Sequence, residues 1–181
     1  MELRIAGITA ESVVDGPGLR MVVFTQGCPH KCIGCHNPHT HDPAAGELID
    51  TEEILKRFLT NPLLAGLTIS GGEPVLQAAA VAELAFRIKG YGKGVLLYSG
   101  YTYNELICLS HKDESVARLL ASTDTLIDGP FIEAERDISL VYRGSRNQQV
   151  IGFTSQKEAF EQIYIPKEEL IKGILGNDYV I

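Results

Sequence analysis

The chain has 181 residues, of which 45% are hydrophobic and 22% charged, and its formal net charge at pH 7 is −7. These values are ordinary for a globular protein, and we expect one domain over residues 1–181. The acidic balance argues against an extended nucleic-acid surface, and no apolar run predicts a membrane span or a signal peptide. Four cysteines, three of them clustered, fit a reducing cytoplasm better than a disulfide framework.

Strands and helices alternate in the predicted order of elements. Short apolar runs rich in β-branched residues predict strands at 21–25, 67–69, 95–98 and 125–127. Apolar residues at helical spacing predict three helices, marked by Ile54, Leu55, Phe58 and Leu59, by Val81, Leu84, Ala85 and Ile88, and by Val116, Leu119 and Leu120. Asp50 and Glu53 before the first helix resemble a capping box. A last helix is predicted between Pro166 and Gly176.

Apolar strands that alternate with helices predict an α/β fold with a mostly parallel sheet and helices outside. With so few strands, we expect a partial barrel rather than a closed one. Polar or cysteine-bearing segments follow the strand ends: Cys28 onward, Ser70 to Glu73, Ser99 to Tyr101, and Asp128 with Gly129. Because parallel α/β proteins bind ligands at that edge, these segments are expected to converge on one site.

Cys28, Cys32 and Cys35 lie in one short loop, with three residues between the first pair and two between the second. Thiolates suit iron–sulfur clusters and zinc, and a triad holds three irons of a [4Fe–4S] cube while the fourth stays open to a ligand. The residues alone leave three alternatives: a zinc site completed by His36, a c-type haem attachment at residues 32–36, and thiols without a ligand. We favour the cluster, because no second zinc half-site exists in the sequence and haem attachment needs export.

The second motif is Ser70-Gly71-Gly72-Glu73-Pro74, directly after a predicted buried strand. Paired glycines let backbone approach a ligand closely. The alternative is an ordinary tight turn with Glu73 near a helix start. Because this motif shares the sheet edge with the cysteines, we favour a ligand site.

Together, the cysteine triad and Gly-Gly-Glu-Pro resemble the radical S-adenosylmethionine (SAM) superfamily. The resemblance implies that Cys28, Cys32 and Cys35 hold a [4Fe–4S] cluster whose open iron binds the amino and carboxylate groups of SAM. It also implies that Gly71, Gly72 and Glu73, with Ser70 beside them, line the methionyl amino group. Ser99 and Asp128 are candidates for ribose or carboxylate contacts. Many members have an aromatic residue just before the third cysteine, where this chain has Gly34.

Three further segments narrow the resemblance to the activating enzymes of glycyl radical enzymes. They are Asp15 to Arg20, Cys35-His36-Asn37, and Arg143 to Gln148, the last of which resembles the subgroup that activates anaerobic ribonucleotide reductase. The resemblance covers residues 5–151 and leaves 152–181 as an extension of unknown role. It implies an oxidoreductase that puts a glycyl radical on that reductase, with reduced flavodoxin or ferredoxin as electron donor.

Two other functions stay open at this point. One is a small-molecule radical SAM enzyme, similar to 7-carboxy-7-deazaguanine synthase, and the other is a non-catalytic zinc-binding module. Among the remaining residues, Cys108 is expected to be a small buried hydrophobe, and Arg20 to be structural. Arg143 and Arg146 are candidates for docking the partner, with bracing of the sheet as the alternative.

Overall fold

The computed structural model describes residues 1–153, which contain one seven-stranded sheet. The strands are β1 (Glu2–Ser12), β2 (Arg20–Thr25), β3 (Glu47–Asp50), β4 (Gly66–Gly71), β5 (Gly94–Tyr98), β6 (Thr125–Asp128) and β7 (Gln149–Gly152). Their order across the sheet is β3-β1-β2-β4-β5-β6-β7. The four strands β2, β4, β5 and β6 are parallel, and β1, β3 and β7 are antiparallel to their neighbours.

The helices of the described chain are α1 (Thr51–Leu59), α2 (Ala78–Gly90), α3 (Tyr103–Ser110) and α4 (Glu114–Ala121). Their buried residues form one core with one face of the sheet, as shown by Ile54 and Leu84 packing in the same cluster as Val23 and Leu97. This confirms the predicted α/β class with helices outside. Within residues 1–153 the sheet is open, because β3 and β7 are its two edges. None of the helices in this range is long and apolar enough to cross a membrane.

All four predicted strands and three predicted helices are present. β1, β3 and α3 were not predicted, because apolar and polar residues are mixed along them. β7 was not predicted, because its apolar run consists of Val150 and Ile151 alone. Asp50 caps α1, but the predicted capping box is wrong: Asp50 accepts from the Glu52 amide, and the Glu53 side chain pairs with Arg57 instead. The helix predicted between Pro166 and Gly176 lies outside the described residues, and the single-domain expectation stays a prediction.

On the opposite face of the sheet, a smaller cluster of Leu96, Ile127 and Val150 packs with Tyr98 and Tyr142. The Tyr98 hydroxyl donates to the Tyr142 carbonyl over 2.9 Å. Burial raises the pKa of Tyr98. Since Tyr142 belongs to the segment between β6 and β7, that segment covers part of this face.

Arg20 lies buried at the start of β2, on the face opposite the helices. Its guanidinium donates to Thr68 Oγ1 at 2.7 Å and to the carbonyls of Leu67 and Gly94 at 2.6 and 3.0 Å. Burial lowers its pKa to about 10. Arg20 thus ties three neighbouring strands together, and its expected structural role is confirmed.

Candidate functional site

The cysteine loop, residues 27–37, follows the C-terminal end of β2. Its first residues are held by backbone hydrogen bonds to the next turn, from the Gly27 amide to the Thr40 carbonyl at 2.8 Å and from the Cys28 amide to the His41 carbonyl at 3.2 Å. These bonds place the cysteine loop at the predicted ligand edge of the sheet.

Each cysteine of the triad directly follows a residue with left-handed backbone. The φ angles are +93° at Gly27, +48° at Lys31 and +72° at Gly34. Such turns direct successive backbone N–H groups toward a common side, an arrangement found around anions and iron–sulfur clusters. The backbone of this loop is therefore shaped around its sulfur atoms.

The three thiols are free and half-buried. The Cys35 sulfur accepts from the Asn37 amide at 3.4 Å. Burial raises the pKa of Cys28, and backbone N–H groups of His30 and Lys31 act in the opposite direction by bonding to its sulfur. Backbone N–H donors stabilise thiolates that bind a cluster and tune its potential. The donor set and its surroundings therefore fit a [4Fe–4S] cluster.

Among residues 1–153, no three side chains of His, Cys, Asp or Glu converge closely enough to share one metal ion. A cube does not require convergence on one point, because each thiolate binds a different iron. The arrangement of the triad is thus compatible with the cluster in which each cysteine has its own iron.

The glycine–glutamate loop, residues 70–73, ends β4 beside the cysteine loop. The Glu73 amide donates to the Gly27 carbonyl at 2.7 Å, and a Cβ at position 72 would lie 2.2 Å from that carbonyl oxygen. A Cβ at position 71, where φ is +101°, would lie 2.5 Å from the Thr25 amide nitrogen. Both glycines are therefore required by close packing of backbone on backbone, a reason that the sequence did not reveal.

Glu73 is completely buried, and its carboxylate accepts four hydrogen bonds. Oε1 accepts from the Ser99 hydroxyl at 3.0 Å and from the Val75 amide at 3.1 Å. Oε2 accepts from the Gly100 amide at 2.8 Å and from His30 Nε2 at 2.9 Å. The carboxylate therefore joins the ends of β4 and β5 to the cysteine loop.

The other predicted site residues lie at the same strand ends. Ser70 is half-buried at the end of β4, and its carbonyl accepts from the Thr25 hydroxyl at 3.2 Å. Asp128 is buried at the end of β6 and accepts from the amides of Tyr103 and Gln149 at 2.7 and 3.0 Å. Burial raises the pKa of Asp128. Glu73, Ser99 and the cysteine loop are thus joined directly, whereas the hydrogen bonds of Asp128 join β6 to α3 and β7.

The segment between β6 and β7 supplies an aromatic side chain, Phe131, that was not among the predicted site residues. The Phe131 ring lies 5.1 Å from the His36 ring, and a Cβ at Gly34 would lie 3.3 Å from Phe131 Cε1. A residue other than glycine at 34 would therefore meet the side chains of Glu133, at 3.0 Å, and Phe131. The signal available in the sequence was the small residue before the third cysteine.

Within the same segment, Arg143 and Arg146 differ. Arg143 is half-buried and donates to the Gln148 carbonyl at 3.1 Å, whereas the Arg146 side chain is 72% exposed and pairs with Asp137 at 3.0 Å. Arg143 is therefore built into the fold, and Arg146 faces solvent. Elsewhere, the expected burial of Cys108 is wrong: Cys108 is exposed on α3, beside Tyr101 and Lys112.

Comparison with known proteins gives the family of the chain. Residues 14–151 match the family model described as a 4Fe-4S single cluster domain. The anaerobic ribonucleoside-triphosphate reductase-activating protein of Vibrio cholerae is 38% identical over 151 residues, which cover 78% of this chain and 93% of that protein. Its counterpart in Haemophilus influenzae is 34% identical, over 78% of this chain and 92% of that protein. This chain belongs to the family of these activating proteins.

Two further similarities cover less of the chain. The pyruvate formate-lyase-activating enzyme of Clostridium pasteurianum is 39% identical over 117 residues, which are 61% of this chain and 49% of that enzyme. Among solved structures, QueE from Escherichia coli has a TM-score of 0.44 at 18% identity, over 56% of this chain and 54% of that one. The family membership therefore rests on the sequence relatives.

Proposed function

We propose that this chain is a radical SAM activase that generates a glycyl radical on anaerobic ribonucleotide reductase. The observation that carries the proposal is the cysteine loop, in which three half-buried thiols each follow a left-handed residue at the ligand edge of the sheet. Full-length relatives whose names give that reductase as their target support the choice of partner.

Cys28, Cys32 and Cys35 would hold the cluster, one thiolate to each of three irons. When bound, the cluster would supply the one electron that reductive cleavage of SAM needs, and a hydrogen atom would then be taken from a glycine of the partner. The backbone N–H groups of His30, Lys31 and Asn37 stabilise the thiolates. No side chain has to act as a base, since a hydrogen atom and not a proton is transferred.

SAM would lie against the ends of β4, β5 and β6. We assign Ser70, Gly71 and Gly72 to line its methionyl group, since they lie at the end of β4 beside the end of β2, and Gly72 packs against Gly27 of the cysteine loop. The Glu73 carboxylate already has four donors, so its part is to hold this wall of the site together. Ser99 and Asp128 also have internal partners and would shape the far wall.

We further propose that a reduced flavodoxin or ferredoxin provides the electron and that the chain works in the cytoplasm. Three free thiols that must bind iron and sulfide require a reducing compartment. A small one-electron carrier suits a cluster loop in which Lys31, Ile33 and His36 are exposed.

The test is anaerobic reconstitution of the full chain with iron and sulfide. We expect about four irons per chain, the content of one cube. Dithionite should then drive cleavage of SAM, and added anaerobic ribonucleotide reductase should show the EPR doublet of a glycyl radical. Stoichiometric zinc without sulfide would contradict the cluster. SAM cleavage without a radical on the reductase would favour the small-molecule radical SAM alternative.

A further inference from the structure

His30 lies between the first two cysteines of the triad and makes three contacts outside its own loop. Its Nε2 is 2.9 Å from Glu73 Oε2, and its ring packs edge-on against Tyr101, with centroids 4.6 Å apart at 73°. A Cβ at position 100 would lie 2.4 Å from His30 Cδ2, so the ring rests on bare backbone at Gly100. The side chain is only 17% exposed.

The acceptor of this hydrogen bond is held rigidly by the rest of the protein. The Glu73 side chain is 0% exposed, and its other three donors come from Val75, Ser99 and Gly100 on the β4 and β5 ends. A buried carboxylate with several donors forms short, strong hydrogen bonds and does not shift to follow a moving partner. The imidazole is therefore attached to a fixed point.

The rest of the loop between the first and third cysteines has few such attachments. In the described chain, His30 is the one residue among 28–35 whose side chain forms a hydrogen bond to another loop. Cys28 is anchored through its amide, and the Cys35 sulfur bonds within the loop to Asn37. The Cys32 carbonyl accepts from the Cys35 amide at 3.2 Å, a bond that stays within the loop, so the hydrogen bond of His30 is the nearest side-chain link from Cys32 to another loop.

We propose that His30 is a positioning residue, whose hydrogen bond to Glu73 sets where the Cys28 and Cys32 thiols stand relative to the β4 and β5 ends. The effect on the cluster rests on the proposed function, whereas the effect on the thiols does not. Without the hydrogen bond from His30 to Glu73, the cysteine loop keeps its backbone hydrogen bonds at Gly27 and Cys28. It loses the hydrogen bond that holds the middle of the loop.

The experiment compares His30→Ala, His30→Phe and His30→Gln with His39→Ala. His39 is an exposed histidine of the following turn and serves as the matched control. Phenylalanine keeps a ring against Tyr101 but removes the donor, and glutamine restores an amide donor at a similar reach. The first readout is the iodoacetamide alkylation rate of each cysteine in the metal-free chain by mass spectrometry, with exposed Cys108 as the internal reference.

We expect His30→Ala and His30→Phe to raise the alkylation rates of Cys28 and Cys32 several-fold relative to Cys108. His30→Gln and His39→Ala should resemble the unchanged protein. A role in overall stability alone would lower the melting temperature without a selective change at these two thiols, and that result would overturn the proposal. If His30→Ala fails to fold, the comparison of His30→Phe with His30→Gln decides. Equal alkylation rates of Cys28 and Cys32 in these two variants would also overturn the proposal.

The second readout is the reconstituted protein. Iron retention under chelator should fall in His30→Phe, and the EPR spectrum of the reduced cluster should respond differently to SAM, with glutamine restoring both. Unchanged retention and spectra in His30→Phe would contradict positioning of the cluster. If the unchanged protein takes up no cluster, the proposed function fails, and the alkylation rates still decide the role of His30.

Discussion

The cysteine loop and the glycine–glutamate loop meet at one edge of the sheet, yet they use their polar groups in opposite ways. In the first, the thiols of Cys28 and Cys35 have backbone N–H donors, and all three thiols are free. In the second, a buried carboxylate has four partners, and the two glycines pack against neighbouring backbone. One loop thus carries free thiols, and the carboxylate of the other joins the two loops together.

The largest effect is expected from the thiols themselves. Cys32→Ala should abolish cluster assembly and SAM cleavage, because an alanine provides no ligand for its iron. Iron and sulfide analysis after anaerobic reconstitution measures the loss. Cys108→Ala is the control, since this exposed cysteine lies on α3, outside the triad, and should leave iron content unchanged. Equal iron in both variants would place the cluster elsewhere.

Next comes the packing between the two loops. Gly72→Ala would place a Cβ 2.2 Å from the Gly27 carbonyl oxygen, and backbone yields less readily than a side chain. We expect the free energy of unfolding to fall by about 3 kcal/mol, the upper part of the usual range for overpacking. Gly90→Ala at the end of α2 is the control, because a Cβ there meets nothing within 4 Å.

Denaturant unfolding of both metal-free variants gives the comparison. A Gly72→Ala protein as stable as Gly90→Ala would mean that the loops separate at little cost. Direct packing of the loops would then no longer explain the glycine.

The Glu73 carboxylate should give a smaller effect. Glu73→Gln keeps the shape but turns one oxygen into an amide donor that faces existing donors. Leaving one such buried donor unsatisfied costs about 1–3 kcal/mol, so we expect a loss of about 2 kcal/mol in unfolding free energy. Glu53→Gln, at an exposed helix position, is the matched control and should change stability little. Equal losses would mean that the four contacts add nothing.

The same contrast occurs on a smaller scale between Arg143 and Arg146. Arg143→Ala should lower the melting temperature, because it removes the hydrogen bond to the Gln148 carbonyl.

Arg146→Ala should lower radical formation on the reductase relative to SAM cleavage. Added salt should lower radical formation by the unchanged protein in the same way, because salt screens exposed charge contacts. A parallel fall in both reactions for Arg146→Ala would exclude a docking role.

Asp137 should give the smallest effect. Hydrogen bonds from Ser139 and the Arg146 guanidinium lower its pKa to about 2. Because the folded pKa is below the ordinary value of about 4, its contribution is present above pH 4 and is lost as the pH falls through 2. Melting temperatures of the unchanged protein and Asp137→Asn should therefore differ most at neutral pH and converge near pH 2. A difference that stays constant with pH would contradict the pKa shift.

Much of this site could be predicted from the sequence, because its elements are local. The spacing of Cys28, Cys32 and Cys35 indicated a cluster, and the apolar runs located the four parallel strands whose ends carry the site. The resemblance of short segments led to the family that full-length relatives confirm. In each case, neighbours in the sequence determine the outcome.

Other properties depend on residues that are far apart in the chain. The contact of Glu73 with the methionyl amino group of SAM stays a prediction, and its four hydrogen-bond donors come from three loops. Gly71 and Gly72 pack against backbone that lies over thirty residues away in the chain. Cys108 was expected to be buried, but the face that α3 turns outward depends on where α4 and the sheet pack. The sequence alone determined which side chains could bind a ligand and how they are spaced. Only tertiary packing decided which of them are left free to bind, because each buried donor or acceptor must find its partner inside the fold.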